Sequence, residues 1–210
     1  MNGNTIPEAP SILADQARYL IATAARAPSV HNTQPWRFRV GRSAIELHCD
    51  PRRKLRMDPA GREMLISCGA ALFGLRLAIR SLGYQPVVEL LPDPGRVRLL
   101  ARVMAGPAES MTVFECEMLK AVPHRHTHRG GFAPVPLPAG LLAGLRHDAR
   151  AEGARVFASL YTQPLEAAAI RALIRDRLGL PSAPQMLLQL GVAHTAHATG
   201  RRPPDELLEP

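Results

Sequence analysis

A long apolar segment between residues 59 and 82 restricts the possible folds of this chain more than any other feature. Its apolar residues recur three or four positions apart, which is the spacing of one helix face, and other apolar residues fill the remaining faces. That face consists of Leu65, Cys68, Leu72, Leu75, Ile79 and Leu82. Asp58 and Pro59 predict the start of the helix, and Gly83 predicts its end. Because a helix that is apolar nearly all round is usually buried, we expect it inside the fold or against a second subunit.

The rest of the chain mixes predicted helices and strands. Helical spacing of apolar residues predicts helices over 11–27, 111–121, 139–152 and 165–178. Short apolar runs bounded by turn residues predict strands over 36–40, 44–49, 84–91, 97–104, 154–159 and 184–192. The first two strands are separated by the three residues from Gly41 to Ser43, a length typical of a hairpin turn. This mixture indicates an α+β or α/β class.

The composition excludes several classes of protein. The chain has 210 residues, 46% of them hydrophobic, which is enough for one domain with a real core and too apolar for a disordered chain. It has no uninterrupted run of about 18 apolar residues, so we expect no membrane span. Its first residues lack the basic and apolar regions of a signal peptide. Three widely spaced cysteines do not form a disulfide framework, so a cytoplasmic location is expected.

The net charge of +8 is carried almost entirely by arginine, because only Lys54 and Lys120 are lysines. Three explanations compete: a GC-rich genome, binding of an anionic small molecule, and binding of nucleic acid. A guanidinium can hold a phosphate through two parallel hydrogen bonds. Aromatic residues make up only 4% of the chain, so a stacking platform for single strands is poorly supplied, and nucleic acid ranks last.

The histidine triplet His124, His126 and His128 first suggests a metal site. No cysteine or carboxylate beside it completes a ligand set, and the neighbouring Arg125 and Arg129 would repel a cation, so a metal is disfavoured. The chain also lacks a G-x-G-x-x-G dinucleotide motif and a G-x-S-x-G nucleophile motif.

The stretch "ARAPSVHNTQPWRF", residues 25–38, concentrates turn formers and hydrogen-bonding side chains. Residues 28–36 could hydrogen-bond a planar heterocycle, while "RHTHR" at 125–129 and "GRR" at 200–202 could bind a phosphate. Each segment also has a simpler explanation: Trp36 as a core ring, and the arginines as a solvated face. The residues by themselves indicate an α+β domain that could bind an anionic ligand.

Four stretches together resemble a known family. "ARAPSVHNTQPWRF", "DPAGREMLISCGAALFGLRLAIRSLGY", "RHTHRGGF" and "GLPSAPQMLLQLG…GRRPPDELL" are similar, in order, to the Acg-type nitroreductase-like proteins of actinobacteria, within the nitroreductase family of FMN flavoproteins. The resemblance implies an α+β, nitroreductase-like fold that binds FMN. It implies that Asn32, Gln34 and Trp36 fix the turn. The implied cofactor-binding residues are Pro28, Ser29 and Val30 at the isoalloxazine ring, Asn32 in the turn, and Arg125, Thr127, Arg129 and Arg201 or Arg202 at the phosphate.

The resemblance also implies how the chain is organised. Acg-type proteins resemble two nitroreductase subunits fused in one chain, so residues 1–122 correspond to a first half and 123–210 to a second half with a C-terminal arm. The second half passes at Leu160 and Tyr161 directly to sequence that resembles its far end, which indicates an internal deletion. Since the deleted segment would cover the helix at 59–82, a homodimer is expected to replace that burial.

The implied function is an FMN-dependent oxidoreductase that NAD(P)H reduces and that passes electrons to nitroaromatic or quinone-like acceptors. No catalytic side chain is expected, because the flavin itself performs the hydride chemistry. Three alternatives remain open at this point: a flavin-sequestering protein without activity, a degenerate truncated family member, and an interaction module that uses the helix at 59–82.

Overall fold

The computed structural model describes residues 12–128, 130–133, 135–156, 190, 192–193 and 199–209. The chain divides into two compact units. The first comprises residues 1–127 with 197–210, and the second comprises residues 128–196. The C-terminal residues therefore pack with the N-terminal part of the chain. The nitroreductase-like halves at 1–122 and 123–210 concern ancestry and stay a prediction.

The first unit is an antiparallel sheet combined with helices. Its helices are α1 (Ile12–Asp15), α2 (Ala17–Ala24), α3 (Arg62–Ser81), α4 (Val113–Ala121) and α6 (Pro204–Leu207). Its strands are β1 (Trp36–Val40), β2 (Ala44–Cys49), β3 (Tyr84–Leu90) and β4 (Leu99–Ala108). The strands lie in the order β1-β2-β4-β3, and every neighbouring pair is antiparallel. The predicted α+β class is confirmed.

The first predicted hairpin is confirmed at both strands. The amide of Gly41 donates to the carbonyl of Ala44 at 2.8 Å and closes the turn between β1 and β2. The outer edge of β1 is partly covered by the end of the chain, since Leu208 forms a parallel bridge with Phe38. The amide of Glu209 donates to the carbonyl of Phe38 at 2.7 Å. One sheet edge is thus closed by residues that follow α6.

The core lies between the sheet and the helix pair α2 and α3. Fully buried side chains include Leu20, Ile21, Trp36, Phe38, Ile45, Leu47, Leu75, Ile79, Val103 and Leu207. Helix α3 contributes Cys68, Leu75 and Ile79 of its predicted apolar face to this core, whereas Leu65 of that face does not reach it. Leu65 and Phe73 on α3 remain exposed, at 46% and 37%.

Helix α3 begins three residues later than the predicted start at Pro59. The Asp58 carboxylate nevertheless satisfies the first turn, because it accepts from the amides of Arg62 at 2.8 Å and Met64 at 3.0 Å. By length and composition α3 could cross a membrane, and it is the one described helix of which this is true. Core helices of soluble proteins pass the same test, and α3 packs into the core described above.

The structure departs further from the other helices and strands that the sequence predicts. The predicted helix over 11–27 consists of α1 and α2 with a break at Gln16. In the second unit, α5 (Leu141–Ala151) confirms the helix predicted at 139–152, and β5 (Phe132–Ala133) pairs with β6 (Val192–Ala193). Residues 154–156 are not a strand, which corrects part of the strand predicted at 154–159. The helix at 165–178, almost all of the strand at 184–192 and the junction at Leu160 lie outside the described residues.

Candidate functional site

The turn between α2 and β1 has an uncommon backbone. Within four residues, His31, Asn32 and Gln34 adopt positive φ angles of 49°, 57° and 47°. This left-handed region is uncommon for residues other than glycine, although asparagine tolerates it better than most. Such strain persists only where the surroundings over-determine the conformation, and it is frequent at binding sites. The turn is therefore the first candidate for a site.

Hydrogen bonds inside the turn hold part of this conformation. The amide of Gln34 donates to Oγ of Ser29 at 3.0 Å, and the hydroxyl of Thr33 donates to the carbonyl of Val30 at 2.9 Å. The amide of Asn32 donates to the carbonyl of Ser29 at 3.0 Å. The short polar residues therefore bond to the turn's own backbone, which explains their density in the sequence.

The end of the chain holds the rest of the turn. We call residues 199–209 the C-terminal arm. Nδ2 of Asn32 donates to the carbonyl of Gly200 at 3.1 Å, and Nη1 of Arg201 donates to Oδ1 of Asn32 at 3.2 Å. The amide of Arg202 donates to Oε1 of Gln34 at 2.9 Å. The side chains of Asn32 and Gln34 are thus bonded to the arm.

Three arginines meet beside the turn, and we call Arg26, Arg125 and Arg201 the arginine cluster. Nε and Nη2 of Arg125 donate to the carbonyl of Arg26 at 3.2 and 2.8 Å, and Nη2 of Arg201 reaches the same oxygen at 3.5 Å. None of the three forms an ion pair with a carboxylate among the described residues. Nε of Arg201 is buried and has no partner in the described part of the chain.

The cluster brings three positive charges close together. Burial lowers the pKa of Arg125. Burial also lowers the pKa of Arg201, and the positive charges of Arg125 and Arg26 lower it further. Because these groups repel each other and one donor is unsatisfied, a bound dianion would relieve both effects. The donor set therefore fits a phosphate group.

Seven of the nine predicted site residues fall into three groups. Pro28, Ser29, Val30 and Asn32 lie in the strained turn, and Arg125 and Arg201 lie in the arginine cluster beside it. Arg202 is bonded both to the turn and within the arm, since its amide donates to Oε1 of Gln34 at 2.9 Å and its Nη2 to the carbonyl of Glu206 at 2.7 Å.

The two remaining predicted residues contribute less to the described site. Thr127 is exposed, and its hydroxyl makes no hydrogen bond to a described residue. Arg129 lies outside the described residues.

Two contributors were not predicted from the sequence. The backbone carbonyl of Arg26 accepts hydrogen bonds from the guanidiniums of Arg125 and Arg201. Nη1 of Arg53 donates to the carbonyl of Thr33 at 3.0 Å. Arg26 was recognisable only as a basic residue at the end of α2, and nothing in the sequence near Arg53 indicates its contact with the turn.

The histidine triplet takes part in local contacts. Nδ1 of His126 lies 2.9 Å from the carbonyl of His124, and Nε2 of His128 lies 3.0 Å from the carbonyl of Gly131. Within the described ranges, no group of three histidine, cysteine, aspartate or glutamate residues could hold a metal ion.

The sequence relatives are mycobacterial. A Mycobacterium tuberculosis (strain H37Rv) protein named "Putative NAD(P)H nitroreductase Rv3131" is 40% identical over 131 residues, which is 62% of this chain and 38% of that protein. The protein of the same strain named "Putative NAD(P)H nitroreductase acg" is 35% identical over 126 residues, 60% of this chain and 38% of that protein. The matches thus span well under half of these relatives' lengths. No protein-family model matches the chain.

Similarity to solved structures is lower. A nitroreductase family protein from Streptococcus pneumoniae aligns with a TM-score of 0.35 and 17% identity, over 47% of this chain and 82% of that one. A nitroreductase family protein from Clostridium novyi also gives 0.35, with 20% identity over 45% of this chain and 73% of that one. The resemblance therefore rests on the sequence relatives rather than on the solved structures. They confirm it: this chain is similar to mycobacterial proteins named as putative NAD(P)H nitroreductases, and one of these is Acg.

Proposed function

We propose that this chain is an FMN-binding oxidoreductase of the nitroreductase-like class, which uses NAD(P)H to reduce nitroaromatic or quinone-like acceptors. The observation that carries the proposal is the arginine cluster without a described carboxylate partner, placed beside a strained polar turn. The relatives' names support the oxidoreductase class. A cytoplasmic location is part of the same proposal.

The residues of the site have distinct tasks in this proposal. Arg125 and Arg201 hold the phosphate, and the sequence resemblance adds Thr127 and Arg129 to the proposed phosphate-binding residues. Pro28, Ser29 and Val30 line the isoalloxazine ring. The other residues of the turn keep that surface rigid. FMN supplies the hydride chemistry when bound, while the chain supplies binding, orientation and positive charge.

Titration of the purified chain with FMN tests the proposal. Saturable quenching of flavin fluorescence in the micromolar range or tighter is expected. Arg125→Ala is expected to weaken FMN binding at least tenfold, about 1.4 kcal/mol, because it removes a cluster guanidinium. Arg42→Ala is the matched control, since Arg42 is exposed in the β1–β2 turn and its loss changes the net charge equally. Unchanged FMN fluorescence in the parent chain would remove the flavin assignment.

A second candidate is a flavin-binding protein without oxidoreductase activity, or a degenerate family member. The described contacts of the turn and the cluster supply hydrogen-bond donors for binding a ligand, and binding by itself requires no turnover. Bound FMN that NADH and NADPH both fail to bleach under anaerobic conditions would support this candidate. Bleaching by either nucleotide, followed by reoxidation with a quinone, would support the oxidoreductase.

We also propose that the chain forms a homodimer. Exposed Leu65 and Phe73 lie on α3, whose other faces are in the core, and a second copy could cover them. Sedimentation velocity of the parent chain and of Leu65→Lys tests this. The parent is expected to sediment as a dimer and the variant as a monomer.

A further inference from the structure

We propose that Arg201 is a positioning residue that couples anion binding at the arginine cluster to the strained conformation of the turn. The anion is a phosphate dianion, either a phosphate monoester or inorganic phosphate. The proposal rests on the proposed function for the identity of the larger ligand, but the coupling itself needs only the phosphate group.

One guanidinium connects the two parts of the site. Nη1 of Arg201 donates to Oδ1 of Asn32 at 3.2 Å and to Oγ1 of Thr199 at 2.7 Å, while Nη2 reaches the carbonyl of Arg26 at 3.5 Å. Its Nε is buried with no partner in the described part of the chain. Arg201 therefore contacts the turn, the arm and the cluster at once, and retains a donor for a ligand.

The turn depends on the arm for its conformation. Both ends of the Asn32 amide are bonded to the arm, one to Gly200 and one to Arg201, and Oε1 of Gln34 accepts from the arm's Arg202. Asn32 and Gln34 are two of the three left-handed residues of the turn. When the arm leaves, Asn32 and Gln34 lose these bonds, and the backbone strain is no longer opposed by them.

The arm in turn depends on the anion. Docking of the arm buries Arg201, which is the largest cause of its lowered pKa, and brings its positive charge close to those of Arg125 and Arg26, which lower the pKa further. An anion between them converts this repulsion into attraction. Anion binding and docking of the arm are two coupled equilibria, and such coupling is reciprocal. An anion that stabilises the docked arm therefore binds more tightly when the arm is docked than when it is not. Phosphate binding and turn formation are thus two readouts of one equilibrium.

Two readouts follow the two parts of the site without any turnover. Trp36 is the chain's single tryptophan, is fully buried, and lies two residues after Gln34, so its fluorescence reports on the turn. Hydrogen–deuterium exchange of peptides from residues 199–209 reports on the arm. Inorganic phosphate is expected to slow exchange in the arm at least fivefold and to change Trp36 fluorescence over the same concentration range. FMN should slow the arm's exchange likewise, and riboflavin, which lacks the phosphate, should not.

Variants separate coupling from simple binding. Asn32→Gly keeps the left-handed conformation accessible and the cluster intact but removes the contact with Arg201. Phosphate should still slow exchange around Arg125 in this variant, without the change in Trp36 fluorescence. Arg201→Ala should abolish both responses, and Arg42→Ala should keep both.

The outcomes also separate this inference from the proposed function. Phosphate responses of arm and turn without any binding of FMN would support the coupling and overturn the flavin assignment. Tight FMN binding together with an unchanged Trp36 response in Asn32→Gly would overturn the coupling and keep the flavin assignment. Equal exchange rates of the arm with and without phosphate in the parent chain would likewise overturn it.

Discussion

Gln34 shows how the turn keeps a strained residue in place. Its φ angle is 47°, and the residue is only 5% exposed. Its amide is held by Ser29 and its side-chain oxygen by the amide of Arg202. A left-handed conformation costs roughly 1–2 kcal/mol for a residue with a Cβ atom, so these bonds must outweigh that cost.

Two substitutions of Gln34 should separate the strain from the side-chain bond. Gln34→Ala and Gln34→Gly both remove the bond to Arg202, but only alanine retains the left-handed strain. We expect both to lower the free energy of unfolding, with alanine worse by about 1 kcal/mol. Urea unfolding followed by far-ultraviolet circular dichroism measures the difference. Equal midpoints for the two variants would show that Gln34 is not strained in solution.

The sequence predicted where the turn lies but not its backbone. The density of proline, serine, asparagine and threonine indicates a turn by local chemistry alone. The left-handed angle of Gln34 opposes local propensity. For Gln34 the supporting bond comes from Arg202, which is 168 residues away. A contact of that separation leaves no local pattern, and the same reason explains why the backbone role of Arg26 was not predicted.

At the scale of elements, α2 and α3 approach each other closely at Gly74. A Cβ atom built there would lie 3.0 Å from Cα of Ala24 and 3.4 Å from the carbonyl oxygen of Thr23. Both neighbouring atoms belong to the backbone of the chain near the end of α2, so they cannot move aside as a side chain would. Gly69, in the same helix, is exposed and has open space around the corresponding position.

Alanine at these two glycines should have opposite effects. Gly69→Ala is expected to raise the free energy of unfolding by about 0.5–1 kcal/mol, because alanine is the better helix former. Gly74→Ala gains the same propensity but forces the helices apart, and we expect a net loss of about 1–2 kcal/mol. Thermal unfolding of both variants beside the parent chain provides the comparison. Stabilisation by Gly74→Ala would contradict the close packing of α2 on α3.

Elements with a strong local pattern were predicted best. The strands at 36–40 and 44–49 agree at every residue, since alternation and a short hairpin turn act together there. The start of α3 was displaced because Asp58 caps the helix from a preceding turn, a variation that the sequence pattern does not distinguish. The central pairing of β2 with β4 joins segments separated by the whole of α3, which periodicity cannot reveal.

At the scale of the whole molecule, partly buried carboxylates connect distant segments. Glu46 on β2 accepts two hydrogen bonds from Arg96, at 3.1 and 2.8 Å, and one from Arg102 on β4 at 3.3 Å. The Arg96 bond is the largest cause that lowers the pKa of Glu46 to about 2. The hydrogen bond from Arg80 on α3 likewise lowers the pKa of Glu115 on α4 to about 2.

The lowered pKa values of Glu46 and Glu115 predict that the free energy of unfolding falls in acid. Their folded pKa of about 2 lies below the ordinary value of 4.5, so their stabilisation is complete above about pH 4.5 and is lost as the pH falls towards 2. We expect each to contribute roughly 1–3 kcal/mol to that loss. Urea unfolding at several pH values measures it, and Glu46→Gln should show a shallower decline. Glu117→Gln, which breaks an exposed pair with Lys120, is the control. A slope for Glu46→Gln equal to the parent's would remove Glu46 from the explanation.

The contact of Glu209 with β1 has a practical consequence for anyone who handles this protein. The arm that binds the turn also covers the sheet edge at Phe38. A protease that clips the chain before residue 199 would uncover an edge strand, which is a template for aggregation, at the same moment as it frees Asn32 and Gln34. The same cleavage would then explain both precipitation of the protein and loss of bound flavin, which leaves the preparation colourless. Mass spectrometry of the intact C-terminus is therefore the quality control that should precede every flavin measurement.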